Sequence, residues 1–274
     1  MLEIIRPGAS AARARAVIFD FDGTLSLIRS GWMDIMVPMC VEQLASLRTG
    51  ETTEHLRETV EDFVWRLTGK ETIYQMMALC DAIAARGGIA ESPAFYKRMY
   101  LDRLMERIHT RLDDLRSGKA TSEQYLVPGS RRLLEALNDR GLTLYLASGT
   151  DHANVEEEAG LLDIARYFSG RIYGALDDLT SFSKALLVKR MLSDAGYAGE
   201  ELLVFGDGYV EIEEVTKVGG TAVGVATAEP ACRQIDEWKR NRLVSVGADF
   251  IVPNYNDFDE LSQALFSQAA VPTS

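Results

Sequence analysis

The sequence predicts an α/β protein built on a doubly wound parallel sheet, with an all-helical unit inserted near its start. Two observations predict the sheet: short apolar runs alternate with helical segments from Pro128 onward, and several runs end in polar residues. A third predicts the insertion, because apolar residues between positions 30 and 122 recur at three- and four-residue steps. A chain of 274 residues is long enough for both units.

The first long strand is predicted at residues 16–19, an apolar run that leads into the acidic segment Asp20–Leu25 (DFDGTL). An apolar run that ends in acidic residues and a glycine is typical of a buried strand opening into a polar loop. Open α/β sheets carry their chemistry at such strand ends, and crowded carboxylates repel each other unless a cation lies between them. The segment therefore predicts a metal-assisted carboxylate site that includes Asp20 and Asp22.

The inserted unit is predicted to contain several helices separated by glycines. No strand-like run interrupts its helical periodicity in the sequence. We therefore expect a helical domain over residues 30–122, and a sheet domain formed by residues 1–29 together with 123–274.

The remainder of the sheet domain is predicted to alternate strands with helices. Such alternation indicates a parallel sheet that is covered by helices on both faces. The predicted strands cover residues 142–147, 202–205, 221–225 and 249–252, and the predicted helices cover residues 129–140, 151–159, 183–195, a short segment after residue 208, and 257–266.

Composition and charge argue against several classes of protein. The net charge is −12, and an acidic chain lacks the lysines and arginines that displace counterions from nucleic acid, so we expect no nucleic-acid partner. Cys40, Cys80 and Cys232 form no CxxC pair, which argues against a zinc site or a disulfide framework. No apolar run approaches the ~18 residues of a membrane-spanning helix, and the N-terminal segment lacks the apolar region of a secretory signal. We expect a cytoplasmic monomer or homodimer with no membrane partner.

Polar clusters follow three predicted strands, and a lysine begins a later helix. Since parallel strands end at the same edge of a sheet, these side chains are predicted to converge. The set suits a small phosphate ester: one carboxylate attacks phosphorus, another moves a proton, Mg²⁺ and a lysine neutralise charge, and a hydroxyl and amides bind phosphoryl oxygens. The residues are Asp20 with Asp22, Ser148-Gly149-Thr150, Asp207 with Glu211, and Lys184.

These motifs, in this order and spacing, resemble those of the haloacid dehalogenase (HAD) superfamily. The resemblance is to its magnesium-dependent phosphatases with an inserted helical cap of the phosphoglycolate phosphatase type, and it covers nearly the whole chain from about Ala16. It implies a Rossmann-like core, a C1-type cap over residues 30–122, Mg²⁺ as the cofactor and a small phosphate ester as the substrate.

The resemblance also implies roles for the motif residues. Asp20 would be the nucleophile and a Mg²⁺ ligand, and Asp22 the general acid/base, with its backbone oxygen on Mg²⁺. Ser148 and the Gly149 amide would bind the phosphoryl group. Lys184 would neutralise the phosphate and orient Asp20.

Further positions follow from the same resemblance. Asp207 would be an acidic Mg²⁺ ligand, and Glu211 stands where the family usually has a second aspartate, so we expect it to reach the metal through water. Thr24 is expected to shape the turn that aims the two aspartates and is counted among the substrate-binding residues. Arg29 and Trp32, which follow the first motif, are candidates for recognising the leaving group.

Two of these residues have alternatives. Lys189 lies five residues after Lys184 and is its rival, although Lys184 is preferred because it begins the helix. Glu211 has glutamates close by and would otherwise belong to a solvated helical face. His152 is a further position of interest, because it closely follows the second motif.

The predicted function is Mg²⁺-dependent hydrolysis of a small phosphorylated metabolite through an aspartyl-phosphate on Asp20. One alternative is phosphoryl transfer between sugar phosphates, as in β-phosphoglucomutase relatives, and another is a catalytically quiet binding protein with the same fold. A phosphonatase is disfavoured because that chemistry needs a Schiff-base lysine from the cap, and Lys70, Lys97 and Lys119 show no such signal.

Overall fold

The computed structural model describes residues 2–176 and 183–266, and it contains a seven-stranded sheet. The strands lie in the order β1-β7-β6-β5-β2-β3-β4, and every neighbouring pair is parallel except β1 with β7. The strands are β1 (Glu3–Ile4), β2 (Ala16–Phe19), β3 (Thr143–Asp151), β4 (Ile172–Ala175), β5 (Leu202–Gly206), β6 (Thr221–Val225) and β7 (Phe250–Val252).

Ten α-helices accompany the sheet in the described part of the chain. The first four lie consecutively after β2, where the sequence predicts the helical insertion, a fifth precedes β3, and the other five follow β3. The helices are α1 (Met33–Ala45), α2 (Thr53–Leu67), α3 (Thr72–Ala85), α4 (Pro93–Ser117), α5 (Ser130–Asp139), α6 (His152–Leu161), α7 (Lys184–Ser193), α8 (Tyr209–Lys217), α9 (Glu237–Ser245) and α10 (Phe258–Phe266).

The central strand β2 shows why its sequence is apolar at every position. All four of its side chains are buried: Val17 and Phe19 belong to one apolar cluster, and Ala16 and Ile18 to the other. Because successive side chains of a strand point to opposite faces, the two clusters lie on the two faces of the sheet. The predicted doubly wound α/β fold with a helical cap is therefore confirmed.

Three elements of this fold are not predicted from the sequence. Strand β1 has only two residues and adds an antiparallel edge to a sheet that was predicted to be parallel throughout. Strand β4 is a four-residue segment that contains a glycine, and α9 buries only Leu243, so neither offers a clear apolar period. The last strand begins one residue later than predicted, since the buried Asp249 accepts a hydrogen bond from the Ala222 amide before the strand starts.

The two connections between the sheet and the helical insertion run side by side. Ser26 and Leu126 form an antiparallel bridge, flanked by a bond from the Leu27 amide to the Tyr125 carbonyl at 2.8 Å. Arg111 of α4 also donates hydrogen bonds to the Ile28 and Ser30 carbonyls. The chain therefore enters and leaves the helical insertion at one place in the fold.

The search for membrane-spanning helices is negative for residues 2–176 and 183–266. None of the helices there combines the length and the hydropathy that crossing a bilayer requires.

Candidate active site

The site forms at the end of β2, where the strand order reverses: β3 and β4 lie on one side of β2, and β5, β6 and β7 lie on the other. Strand β2 pairs in parallel with both β3 and β5, so three strands from distant parts of the sequence end together. The Asp20 amide donates a hydrogen bond to the Phe205 carbonyl at 2.9 Å, which ties the first motif to the strand that precedes Asp207. Clefts at such points bind ligands in open α/β proteins.

Lys184 joins two buried carboxylates. Its Nζ lies 2.6 Å from Asp20 Oδ1 and 2.8 Å from Glu211 Oε2, and all three side chains are almost completely buried. Burial raises the pKa of Asp20, and the ammonium group acts in the opposite direction. Burial lowers the pKa of Lys184, but the two carboxylates outweigh it, so the net shift is upward and the lysine is charged. Lys189, the rival position, is exposed on α7.

Glu211 is part of the buried site and not of a solvated helical face. Its side chain is 1% exposed, and Oε1 accepts a hydrogen bond from the Gly208 amide at 2.9 Å at the start of α8. A Cβ atom at Gly206 would lie 2.2 Å from the same oxygen, so a glycine there makes room for the carboxylate. The expectation that Glu211 reaches a metal ion through water stays a prediction.

Asp22 has one satisfied and one unsatisfied oxygen. The Thr150 hydroxyl donates to Oδ2 at 2.8 Å, and the Ser148 hydroxyl donates to the same atom at 3.4 Å. Oδ1 is buried without a hydrogen-bond partner, and its nearest cation is Arg29, with Nε 4.0 Å away. Burial raises the pKa of Asp22, while Arg29 and the Thr150 hydroxyl lower it. A carboxyl group with a raised pKa and a free oxygen is suited to carrying a proton.

Thr24 lies behind the two aspartates and does not line the cavity. The side chain is fully buried; its hydroxyl donates to Asp20 Oδ2 at 3.3 Å and accepts from the Asp207 amide at 3.0 Å. The expectation that Thr24 shapes the turn agrees with these contacts. Its place among the substrate-binding residues does not, because both interactions of the hydroxyl are inside the protein.

The Asp207 carboxylate has a cationic partner that the sequence analysis missed. Lys239 of α9 donates to Asp207 Oδ2 at 2.9 Å and to Glu229 Oε1 at 2.9 Å. The two carboxylates raise the pKa of Lys239 against the effect of burial. Lys239 lies in a polar helix 32 residues after Asp207, where no spacing or motif signals its contact with the site.

Three carboxylates of the cluster are arranged as metal ligands could be. Asp20, Asp207 and Glu211 each offer an oxygen, and these oxygens lie within 4.8 Å of one another. An all-oxygen donor set suits a hard divalent cation, and the unpartnered Oδ1 of Asp22 marks a further polar atom directed into the site. The residues present therefore fit a bound divalent metal.

The second motif, Ser148-Gly149-Thr150, contributes a hydroxyl group to the site and allows the backbone of the helical insertion to come close. Ser148 is buried, and its Oγ accepts a hydrogen bond from the Thr150 amide at 3.0 Å. A Cβ atom at Gly149 would lie 2.8 Å from the Lys70 carbonyl oxygen, so glycine lets the cap segment approach the strand end. Ser148, Gly149 and Thr150 all line the cavity described next.

A cavity of about 100 Å³ lies between the strand ends and the helical insertion. Its floor includes Asp20, Asp22, Ser148 and Lys184, the residues to which the family resemblance assigns catalytic roles. Helices α1, α3 and α4, the connection between α2 and α3, and the segment before α1 supply the opposite wall. The residues of that wall are Arg29, Trp32, Met36, Thr68, Gly69, Lys70, Thr72, Gln75 and Tyr100.

Arg29 is one of the cavity residues, and its guanidinium is already paired with a buried carboxylate. Its Nε and Nη2 bind Glu158 of α6 at 3.0 and 2.7 Å, and the guanidinium is 5% exposed. Burial raises the pKa of Glu158 to about 6, although the guanidinium lowers it. Trp32, the other residue expected to recognise a leaving group, also lines the cavity.

Two further positions from the sequence analysis take no part in this cavity. His152 begins α6 and faces Glu156, with Nε2 3.5 Å from the carboxylate. Lys97 of α4 pairs with Asp151 across the gap between the helical insertion and the sheet. The segment 177–182 that precedes Lys184 lies outside the described residues.

Comparison with known proteins finds relatives in sequence and in fold. A 5'-nucleotidase from Pseudomonas aeruginosa is 33% identical over 103 residues, which are 38% of this chain and 46% of that protein, so the match spans less than half of the relative. Among solved structures, a predicted phosphoglycolate phosphatase from Haemophilus somnus covers 92% of this chain and 99% of its own, with a TM-score of 0.56 and 16% identity.

A putative β-phosphoglucomutase from Thermotoga maritima has the same fold, with a TM-score of 0.51 and 21% identity over 90% of this chain and 99% of its own. The family model of haloacid dehalogenase-like hydrolases matches residues 14–219, a range that contains both ends of the helical insertion and every motif residue singled out in the sequence. The chain is therefore a member of the haloacid dehalogenase-like hydrolase family.

Proposed function

We propose that the protein is a Mg²⁺-dependent phosphatase that hydrolyses a small phosphate monoester through an aspartyl-phosphate on Asp20. The observation that carries this proposal is the pairing of two unlike aspartates in one cavity. Asp20 is held by the Lys184 ammonium, whereas Asp22 keeps a buried oxygen without a hydrogen-bond partner. Two carboxyl groups in such different surroundings are suited to different tasks.

In the proposed first step an Asp20 oxygen attacks phosphorus in line with the leaving oxygen. Lys184 fixes the rotation of the Asp20 carboxylate through Oδ1 and places a positive charge beside the phosphoryl group. The Ser148 hydroxyl and the Gly149 amide bind phosphoryl oxygens. Asp22 gives its proton to the leaving oxygen, so the substrate departs as an alcohol.

In the second step Asp22, now a carboxylate, accepts a proton from a water molecule that attacks the phosphorus of the aspartyl-phosphate. Inorganic phosphate leaves and Asp20 is restored as a carboxylate. Thr150 holds Asp22 in place for both steps through the bond to Oδ2. Asp20, Asp207 and Glu211 would hold the Mg²⁺, which neutralises the charge between nucleophile and phosphate when it is bound.

The helical insertion is proposed to act as the cap over residues 30–122. Its residues form the wall opposite the strand ends, so it excludes bulk water and contacts the leaving group. The mixed wall of Trp32, Gln75 and Tyr100 fits a small organic leaving group that has both apolar and hydrogen-bonding surface. Substrate tests should include 5'-mononucleotides, sugar phosphates and phosphorylated small acids.

The test is turnover of p-nitrophenyl phosphate with Mg²⁺, with D20N and the exposed-residue variant D139N side by side. The wild type and D139N should release p-nitrophenol, and D20N should lose activity by about 10³-fold or more, because its amide is a poor nucleophile. Unchanged activity in D20N would remove Asp20 from the mechanism. No release by the wild type, where a control phosphatase works, would favour a catalytically quiet binding protein.

A further inference from the structure

A lysine outside the catalytic motifs is bound to a candidate metal ligand. Lys239 Nζ lies 2.9 Å from Asp207 Oδ2 and 2.9 Å from Glu229 Oε1, and the three side chains are 14%, 14% and 19% exposed. The backbone of the lysine is also fixed, since its amide donates to Asp236 Oδ1 at the N-cap of α9. The first turn of α9 therefore places an ammonium group at the edge of the acidic cluster.

The two carboxylates that share this ammonium converge on Gly23. A Cβ atom built there would lie 2.4 Å from Asp207 Oδ2 and 3.0 Å from Glu229 Oε1. Asp207 also belongs to the oxygen cluster with Asp20 and Glu211. The Asp207 carboxylate can therefore contact two cations. One is a metal ion at the oxygen cluster, and the other is the Lys239 ammonium group, which is already bound to it.

We propose that Lys239 is a resident cation that shares Asp207 with the divalent metal and thereby limits the affinity of the metal site. Glu229 keeps hold of the ammonium group when the metal takes Asp207. This inference rests on the proposed function only in assigning Asp207 to the metal. Lys239 is a positioning residue here, because it acts through Asp207 and not on the substrate.

Removing the charge of Lys239 and removing the charge of Glu229 should change the metal affinity in opposite directions. Positive charges beside one carboxylate repel each other, so removing the ammonium should strengthen metal binding. Removing the Glu229 charge leaves Lys239 with Asp207 alone and takes a negative charge away from the site, so metal binding should weaken. Damage to the fold would weaken binding in both cases.

The experiment is calorimetric titration of the full chain with Mg²⁺ and with Mn²⁺, in the absence of substrate. K239M and K239Q should bind each ion about tenfold more tightly than the wild type, E229Q should bind it about tenfold more weakly, and K239R should match the wild type. K217M is the matched control: Lys217 lies 3.2 and 2.9 Å from Glu213 and Glu214, but on the surface. Its affinity should not change.

Thermal unfolding identifies the variants that keep their fold, and the comparison is made among those. Weaker or unchanged binding in folded K239M or K239Q overturns the inference, as does the absence of Mg²⁺ and Mn²⁺ binding by the wild type. The two proposals fail separately. If metal affinity changes as stated but p-nitrophenyl phosphate is not hydrolysed, only the function is wrong; if hydrolysis occurs with unchanged affinities, only this inference is wrong.

Discussion

At the scale of single residues, the ammonium of Lys184 allows two carboxylates to be buried side by side. Asp20 and Glu211 each bind it within 2.8 Å, and none of the three side chains is more than 7% exposed. Removing one partner from such a buried group leaves an uncompensated charge and typically costs about 3–5 kcal/mol. The same contact that makes Asp20 tolerable in the core also fixes the direction of its carboxylate.

Gly23 affects both the backbone turn after β2 and the position of the Asp207 carboxylate. Its φ of +76° is a conformation that residues with side chains rarely adopt, and its missing side chain leaves the space used by Asp207 and Glu229. Glycine at this position is therefore required twice, once by the turn and once by the carboxylate behind it.

We predict that G23A lowers Mg²⁺ affinity and phosphatase activity together, because the added methyl group would displace Asp207. The matched control is G8A, since Gly8 has a φ of +85° but no atom within 4 Å of the added Cβ. Both variants should lose about 1–2 kcal/mol of folding free energy from backbone strain, and G23A should lose more. The measurements are chemical denaturation and metal titration; equal losses of metal affinity in the two variants would contradict the steric account.

At the scale of elements, the end of α2 forms a second contact between the helical insertion and the sheet domain. This contact is far in the sequence from the two connections between them. Arg242 of α9 donates to the carbonyls of Trp65, Arg66 and Thr68 at the end of that helix, where backbone carbonyls run short of intrahelical donors. The rings of Trp65 and Trp238 lie 4.0 Å apart, centroid to centroid. This contact holds the segment that continues into the cavity wall at Gly69 and Lys70.

We predict that R242A loosens this segment without unfolding the protein. The carbonyls at the end of α2 lose the Arg242 guanidinium as a donor, so amide hydrogen exchange should accelerate over residues 64–71, and KM should rise because Gly69 and Lys70 line the cavity. R240A is the control, since Arg240 on the same helix pairs with Glu3 at the far edge of the sheet. Equal exchange over residues 64–71 in the wild type and in R242A would show that the contact does not restrain the cap.

At the scale of the whole molecule, the sequence predicted the sheet and the strand ends that form the candidate site better than it predicted the cavity wall. Strand β2 is apolar at all four positions because both of its faces are buried. The acidic motif follows it directly, so one stretch of sequence predicts both the strand and the site. The position of Lys184 at the start of a helix favours it over Lys189, and the structure brings its ammonium group to Asp20.

The remainder of the site depends on tertiary contacts that produce no periodic pattern in the local sequence. Lys239 reaches Asp207 from a polar helix, and Glu229 binds Lys239 from a loop. A charged residue at either position has the same appearance in sequence as one in solvent. Thr24 was placed near the site, but only the structure shows that its hydroxyl bonds to Asp20 and to the Asp207 amide. Short elements such as β4 are missed for the same reason.

The central claim, nucleophilic attack by Asp20, is tested most directly by identifying the phosphorylated residue. D22N treated with p-nitrophenyl phosphate and Mg²⁺ should accumulate the phosphoenzyme, because the leaving group needs little protonation whereas the attacking water loses its base. After acid quenching, peptide mass spectrometry should place the phosphoryl group on Asp20, and D20N should carry none. A phosphoryl group on another residue, or wild-type turnover with no phosphorylated Asp20 in the wild type or in D22N, would contradict the account.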